Sequence, residues 1–371
     1  MSGKRILLVQ LFSNGDCLLA TTIARQIKND FPECHLTWAI AEFCQDIIHH
    51  NPYIDKALLV PEVKKNDIME FRRLKKKFLK QKMQGFWDEV FITHNMDDNQ
   101  ALYDGTVRGM LFRAYPGEIN VPLEPVLILT EEEKNNVQDF VDKHSLNSFK
   151  NVILWEYAPQ SGQSMLTYET VVEMAEEVSA LPATCVIMTA AKPFPVTQNV
   201  FDASTLTIRE NAALTHHCHL LIGCSSGITW VNTSSAAKKL PMLQLLDPEA
   251  YFFNPPSVDF ERNNISTEQL IELVKFNKRT VITCIRSIIA ESFLLARKKY
   301  NQDIPLRFNT TRKIVYNLLC YLQFNAVKKH YKIMTGLYGR NPELIKQFRL
   351  GILTFPFKLI GNTWRKRIAR L

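Results

Sequence analysis

The chain has 371 residues and no uninterrupted apolar run of 18 or more, so a transmembrane helix is not expected. Its opening, Met1-Ser-Gly-Lys-Arg-Ile-Leu-Leu-Val-Gln-Leu-Phe12, carries an apolar stretch of only about seven residues and no small-residue cleavage site. A signal peptide is therefore not expected, and a first buried strand is. The eight cysteines are scattered, with no C-x-x-C pair; without an export signal, reduced thiols in the cytosol are expected. There is no G-x-S-x-G elbow and no Walker lysine motif, and the first turn lacks G-x-G-x-x-G, which disfavours a classical NAD enzyme. Internal repeats and low-complexity tracts are absent. Acid is what the C-terminal quarter lacks: residues 275–371 hold 21 Lys+Arg against 3 Asp+Glu.

The rest is a globular composition, 46% hydrophobic and 22% charged, long enough for two domains and an appendage. The net charge of +8 hides an acidic body, since residues 1–274 hold 24 Lys+Arg and 34 Asp+Glu. A basic tail on an acidic body points to an anionic partner, either membrane or nucleic acid.

Apolar runs alternate with amphipathic stretches. Ile6–Leu11, His35–Ile40, Ala57–Val60 and Glu89–Thr93 read as strands, and Cys17–Phe31, Lys64–Gln84 and Thr106–Tyr115 as helices. After a linker at Val121–Thr130, bearing Pro122 and Pro125, the alternation restarts. Strands are expected at Val152–Trp155, Cys185–Thr189, His219–Ile222 and Met242–Leu246. Helices are expected at Glu131–His144, Tyr168–Ala180, Arg209–His217, Ile228–Ala237 and Thr267–Phe276, the last capped by Ser266. The reading is an α/β chain of two Rossmann-like domains facing a cleft, at 1–124 and 125–280. A basic helical extension follows at 281–371. The cleft between the domains is the expected ligand site.

Three strand-to-helix turns carry candidate chemistry. Ser13-Asn-Gly-Asp16 sets a carboxylate at the end of the first strand, as helix cap or as an acid facing a ligand. Gly223-Cys-Ser-Ser-Gly227 brings Ser225, Ser226 and Gly227 to a helix start, where N–H groups and hydroxyls hold a phosphate oxygen or merely make a tight turn. Trp155–Ser164 is a polar loop in which Ser161, Gly162 and Ser164 make a third anion nest or an ordinary surface loop. The cluster His216-His-Cys-His219 lies side by side across a helix-to-strand junction, so its members point in different directions and no metal site is read there.

These pieces together resemble glycosyltransferase family nine, the ADP-heptose:lipopolysaccharide heptosyltransferases. The resemblance rests on Ile6-Leu-Leu-Val-Gln-Leu-Phe-Ser-Asn-Gly-Asp-Cys-Leu-Leu-Ala20, on Phe31-Pro32, Trp38 and Asn51-Pro-Tyr-Ile-Asp55, and on Asn211-Ala-Ala-Leu214 followed by Leu221–Gly227. It spans about residues 5–275. It implies a GT-B fold and inverting sugar transfer from a nucleotide-diphosphate sugar, with no catalytic metal and no cofactor besides that substrate. The acid matching Asp16 would be the general base. Ser13, Asn14, Gly15 and Arg108 would lie on the acceptor side, and Ser225, Ser226 and Gly227 would meet the donor diphosphate. The sequence departs from the family's Gly-x-Asp-Ser-Gly-x-x-His pattern: Ser225 replaces the Asp and Trp230 the His. The loop Pro159–Leu166 also lacks the family's Lys, a gap that Lys192 or Arg209 would fill. These departures leave the donor open and admit a transferase-like nucleotide-sugar binder without turnover.

Two basic segments remain. Lys64–Lys82 holds nine Lys+Arg, and residues 344–371 hold seven with no acid. In the second, Ile345, Phe348, Ile352, Phe355, Ile360, Trp364, Ile368 and Leu371 follow three-four spacing around an expected kink at Pro356. That is the composition of an interfacial helix or of a closing helix packed back on the first domain. The expected enzyme is cytoplasmic and peripheral at the inner face of the membrane. Its acceptor would be a lipopolysaccharide, capsule or other glycolipid, with nucleic acid an unlikely partner.

Overall fold

The computed structural model describes residues 3–61, 63–64, 67–158, 165–190, 192–304 and 306–368, with side chains except at 158 and beyond 355. The first unit is a parallel four-stranded sheet of β1 (Arg5–Val9), β2 (His35–Ala41), β3 (Lys56–Val60) and β4 (Glu89–Ile92), in the order β3-β2-β1-β4. Helices α1 (Asn14–Asp30), α2 (Ile68–Met83) and α3 (Val107–Phe112) accompany it. Ile6 to Val9 are wholly buried, as befits an apolar strand covered on both faces. Helix α2 starts at Ile68 because the Asp67 carboxylate accepts from the N–H groups of Met69 (3.1 Å) and Glu70 (3.0 Å).

The second unit is a parallel six-stranded sheet of β5 (Asn151–Ala158), β6 (Thr184–Ala190), β7 (Val200–Asp202), β8 (Leu220–Gly223), β9 (Met242–Leu245) and β10 (Leu270–Leu273), ordered β10-β9-β8-β5-β6-β7. Around it lie α4 (Glu131–Lys143), α5 (Tyr168–Ser179), α6 (Ile208–Leu214), α7 (Gly227–Val231), α8 (Pro256–Arg262), α9 (Lys278–Ala290) and α10 (Phe293–Tyr300). Two sequence expectations change here. The helix expected over 267–276 is strand β10, because the run Leu270-Ile-Glu-Leu is buried and pairs with β9. Ser266 does accept from the N–H of Glu268 (3.2 Å), but this closes a turn. The helix expected over 228–237 ends at Val231.

The connection between the units is tied along α1, where the Gln26 Oε1 accepts from the N–H groups of Asn120 (2.9 Å) and Val121 (3.1 Å). Past the second sheet, Val281, Ile282, Cys284, Ile285 and Ala296 join that unit's core, so α9 and α10 complete it. The chain then returns to the first unit as α11 (Asn309–Cys320), α12 (Phe324–Tyr338) and α13 (Pro342–Ile368). Ile314, Leu318 and Ala326 pack into the first unit's core, and His330 hydrogen-bonds the carbonyl of Ala101 (3.1 Å). Leu344 (0% exposed) and Phe348 (4%) are buried against Val315, Leu319 and Met334. The start of the expected interfacial helix is therefore a closing helix, and one continuous helix runs through Pro356. No helix among the described residues is long and apolar enough to cross a membrane.

Truncating Leu344 to Ala should cost about 2–5 kcal/mol of stability, the range for emptying a packed aliphatic site. Chemical denaturation checks this; an unchanged midpoint would mean that the segment does not pack.

Candidate active site

The site forms where the turns after β1 and β8 meet. Gly15, in the first turn of α1, lies so close to α7 that an added Cβ would stand 3.4 Å from the Gly227 Cα and 3.5 Å from the Trp230 ring. The structure thus brings Ser13, Asn14, Gly15 and Asp16 of one unit against the Ser225–Gly227 turn of the other. Both turns hold a non-glycine residue with positive φ, Ser13 at 69° and Ser225 at 59°. Such local strain persists only where the surroundings fix it.

Asp16 is partly exposed in the first turn of α1, where its charge complements the helix dipole. The Ser13 side chain makes no cap hydrogen bond. The Asn95 Nδ2 donates to Asp16 Oδ2 at 2.6 Å. Asn95 follows β4 on the stretch Thr93-His94-Asn95, which a buried network holds. The Gln10 Nε2 faces His94 Nδ1 at 3.1 Å, and the Thr93 hydroxyl lies 3.1 Å from Gln10 Oε1. Burial pushes His94 down to about 3, so it is a neutral acceptor at Nδ1. Nothing local in the sequence marks Asn95 as a site residue.

The serines point inward. The Ser225 hydroxyl donates to the Asn254 carbonyl, while its N–H donates to Gln244 Oε1 (2.7 Å). The Ser226 hydroxyl donates to the buried carboxyl of Glu156, which also accepts from the N–H of Ile228. The expectation that both hydroxyls face a diphosphate is therefore corrected: each is engaged inside the second unit, and a carboxyl of the chain itself caps α7. Burial raises Glu156 to about 7, against the pull of Ser226 and Ile228. A sequence signal did exist. Gln10, Glu156, Gln244 and Glu272 are single polar residues inside otherwise apolar strand runs, and all four are buried at the carboxyl-end side of the sheets.

The two expected arginines serve elsewhere. Arg209 is a clamp between units: its guanidinium pairs with Glu133 (2.5 Å) and donates to the carbonyls of Asp46 (3.2 Å), His49 (3.1 Å) and Ile128. Burial would raise Glu133, but hydrogen bonds from Arg209 and Thr130 outweigh it and hold the carboxyl at about 2. Arg108 is 1% exposed, 3.3 Å from the wholly buried Asp259 and over the Trp230 ring, so it ties α3 to α8 behind the site and does not face an acceptor. Burial lowers Arg108 and raises Asp259 to about 6. Lys192 is exposed after β6, with no carboxylate partner among the described residues. Ser161, Gly162 and Ser164 lie outside the described residues. The residues His216–His219 do not converge: His216 Nε2 meets the Ala236 carbonyl, and His219 accepts from the N–H of Val152. A cavity of about 370 Å³ lies apart from Asp16, between α8 and the returning chain, lined by Tyr103, Phe253, Arg262, Leu306 and Tyr338.

No family model and no curated protein matches this sequence. Solved structures do match. A family 9 glycosyl transferase from Veillonella parvula superposes with a TM-score of 0.53 at 16% identity, over 86% of this chain and 99% of that one. The ADP-heptose LPS heptosyltransferase II of E. coli does so at 0.52 and 15%, over 79% and 99%. This chain has the GT-B fold. In a GT-B chain the two parallel sheets aim the carboxyl ends of their strands at one interface, and here Asp16 and the α7 turn stand at that interface.

Replacing Arg209 by Ala should cost about 1–3 kcal/mol, because it takes the hydrogen-bond donor away from the carbonyls of Asp46, His49 and Ile128 and from the half-buried Glu133 carboxylate; equilibrium unfolding measures this. Glu156 predicts a pH effect. Its folded carboxyl keeps a proton to about 7, whereas the unfolded one releases it near 4.5. The stability it contributes is full below the lower value and is lost as pH climbs through the upper one. The non-titrating Glu156→Gln variant should therefore gain melting temperature relative to the native chain between about pH 5 and pH 8. A difference that stays flat across that range would contradict the assignment.

Proposed function

We propose that this chain is an inverting glycosyltransferase that moves a sugar from a nucleotide-diphosphate donor to a lipopolysaccharide, capsule or other glycolipid acceptor. The observation that carries the reading is the position of Asp16, held by Asn95 on a helix start that abuts the turn before α7. The acceptor hydroxyl loses its proton to the Asp16 carboxylate as its oxygen bonds to the anomeric carbon. The bond from that carbon to the diphosphate oxygen breaks, and the diphosphate leaves with the electron pair. Ser13, Asn14 and Gly15 border the acceptor, and the donor diphosphate lies towards the Ser225–Gly227 turn. Glu156 in its neutral form does not repel that diphosphate as its anion would, and Lys192 offers a cation. The reaction so written uses no cofactor besides the donor, and the enzyme works at the cytoplasmic face of a membrane that carries the acceptor. Transfer by an ADP-heptose LPS heptosyltransferase of the same fold supports a nucleotide-diphosphate donor. One observation favours a second reading: Glu156 already caps α7, which suits a nucleotide-sugar binder without turnover.

The test begins with a thermal-shift screen of nucleotide-diphosphate sugars, ADP-heptose included, since a binder raises the melting temperature. Donor hydrolysis or transfer by the native chain would reject the second reading. In the Asp16→Ala variant, turnover should fall by roughly 10²–10⁴-fold, the range for losing a general base, while donor binding and folding persist. Undiminished turnover would remove Asp16 from the mechanism.

A further inference from the structure

The turn between α11 and α12 breaks two rules at once. It closes α11 as a Schellman motif, with the N–H of Leu322 donating to the Leu319 carbonyl (2.9 Å) and that of Gln323 to the Leu318 carbonyl (2.9 Å). The residue after the cap of such a motif is left-handed and is usually glycine. Here it is Leu322, at φ 57°. A branched side chain in that conformation costs about 1–2 kcal/mol, and this one recovers nothing by burial, since Leu322 is 68% exposed. Phe324 beside it is 55% exposed and Tyr321 42%. The fold thus holds an apolar tip in water against its own local preference.

The tip sits among cations. The Arg72 guanidinium of α2 stacks on the Tyr321 ring at 4.0 Å, and Gln323 and Arg72 share Asp97. Asp97 and Asp98, the acids at hand, are matched by Arg72 and Lys75. Along the same face of α2, Lys76 and Lys80 follow Arg72 at helical spacing. Both are exposed and have no carboxylate partner among the described residues. On α12, Lys328 and Lys332 follow Phe324 at the same spacing, also exposed, and residues 304–342 contain no acid.

We propose that the α11–α12 tip is a membrane anchor: Leu322 and Phe324 enter the interfacial layer of an anionic bilayer while Lys76, Lys80, Lys328 and Lys332 meet its headgroups. Exposed apolar residues ringed by lysine are the composition of an interfacial binding site, and basic residues near an anionic leaflet add attraction within a Debye length. Pairing of this face with the same face of a second copy is disfavoured, because it would set like charges against each other. The anchor rests on the proposed membrane acceptor and gives it a place. It lies on the first unit, on α2 and the returning helices, and does not need the buried start of α13.

Co-sedimentation of the full chain with vesicles of phosphatidylcholine, alone or mixed with phosphatidylglycerol, tests this. Binding should require the anionic lipid and weaken with salt. Leu322→Gly combined with Phe324→Ser should weaken it about tenfold or more, and Lys76→Glu with Lys80→Glu likewise. Leu322→Gly alone should raise the melting temperature, because glycine suits the left-handed position, while it weakens vesicle binding. That opposition separates anchoring from a structural role. If the native chain binds anionic vesicles and the tip variants bind equally well, the anchor is wrong and the membrane reading stands. If the native chain binds no vesicle, or prefers an oligonucleotide to anionic lipid, both fall.

Discussion

Two helix starts meet backbone to backbone at Gly15 and Gly227, and the arrangement of the two units depends on that approach. A Cβ at either glycine would already touch the far side in van der Waals contact, so the turn after β1 and the turn after β8 stand about one methyl group apart. Trp230 backs it on one side, and the Arg108–Asp259 pair closes it from behind. Helix starts carry unpaired N–H groups, so bringing two together concentrates positive potential. Each is answered by a carboxyl, Asp16 on α1 and Glu156 beneath α7. The two carboxyls have opposite characters: Asp16 is partly open to the cleft, whereas Glu156 is buried and keeps its proton to about 7. The proposed transfer uses this pairing of one accessible and one neutral acid to take a proton beside an anion.

Three arginines are architectural. Arg209, Arg108 and Arg262 each join separate parts of the fold, pairing respectively with Glu133, Asp259 and Asp104. Arg209 donates to three carbonyls at once and Arg108 is buried against Asp259, so both are withdrawn from any ligand, whereas Arg262 also lines the cavity beside α8. The basic residues on α2 and α12 that reach solvent without a carboxylate partner include Lys76, Lys80, Lys328 and Lys332, on helices that border the exposed apolar tip. The charge asymmetry of the sequence thus separates into clamps and surface. The returning helices are at once the last layer of the first unit's core and the carriers of its exposed tip.

Much of this was legible in the amino-acid sequence. Strand runs such as Ile6–Leu11 and helix faces such as Leu18, Leu19, Ile23 and Ile27 declare a twice-repeated β–α array, because burial on both sides of a parallel strand demands an apolar run and a covering helix demands three-four spacing. The turn holding Asp16 could be placed at a strand end for the same reason. What failed was local and physical. Leu270–Leu273 carries a cap-like Ser266 upstream, and only its pairing with β9 makes it a strand. Ser225 and Ser226 have the composition of an anion nest, and only the arrival of Glu156 and Asn254 from distant positions turns their hydroxyls inward.

The sequence by itself determined the two α/β units, their order, the acid at the first strand's end and the basic return of the chain, since periodicity and charge are properties of neighbours along the chain. The tertiary structure decided which arginines are clamps, that α13 begins as a closing helix, that Asn95 holds Asp16, and that Leu322 stands exposed at a strained turn. Each of those depends on contacts between residues far apart in the chain or on a backbone angle, and neither is encoded in spacing.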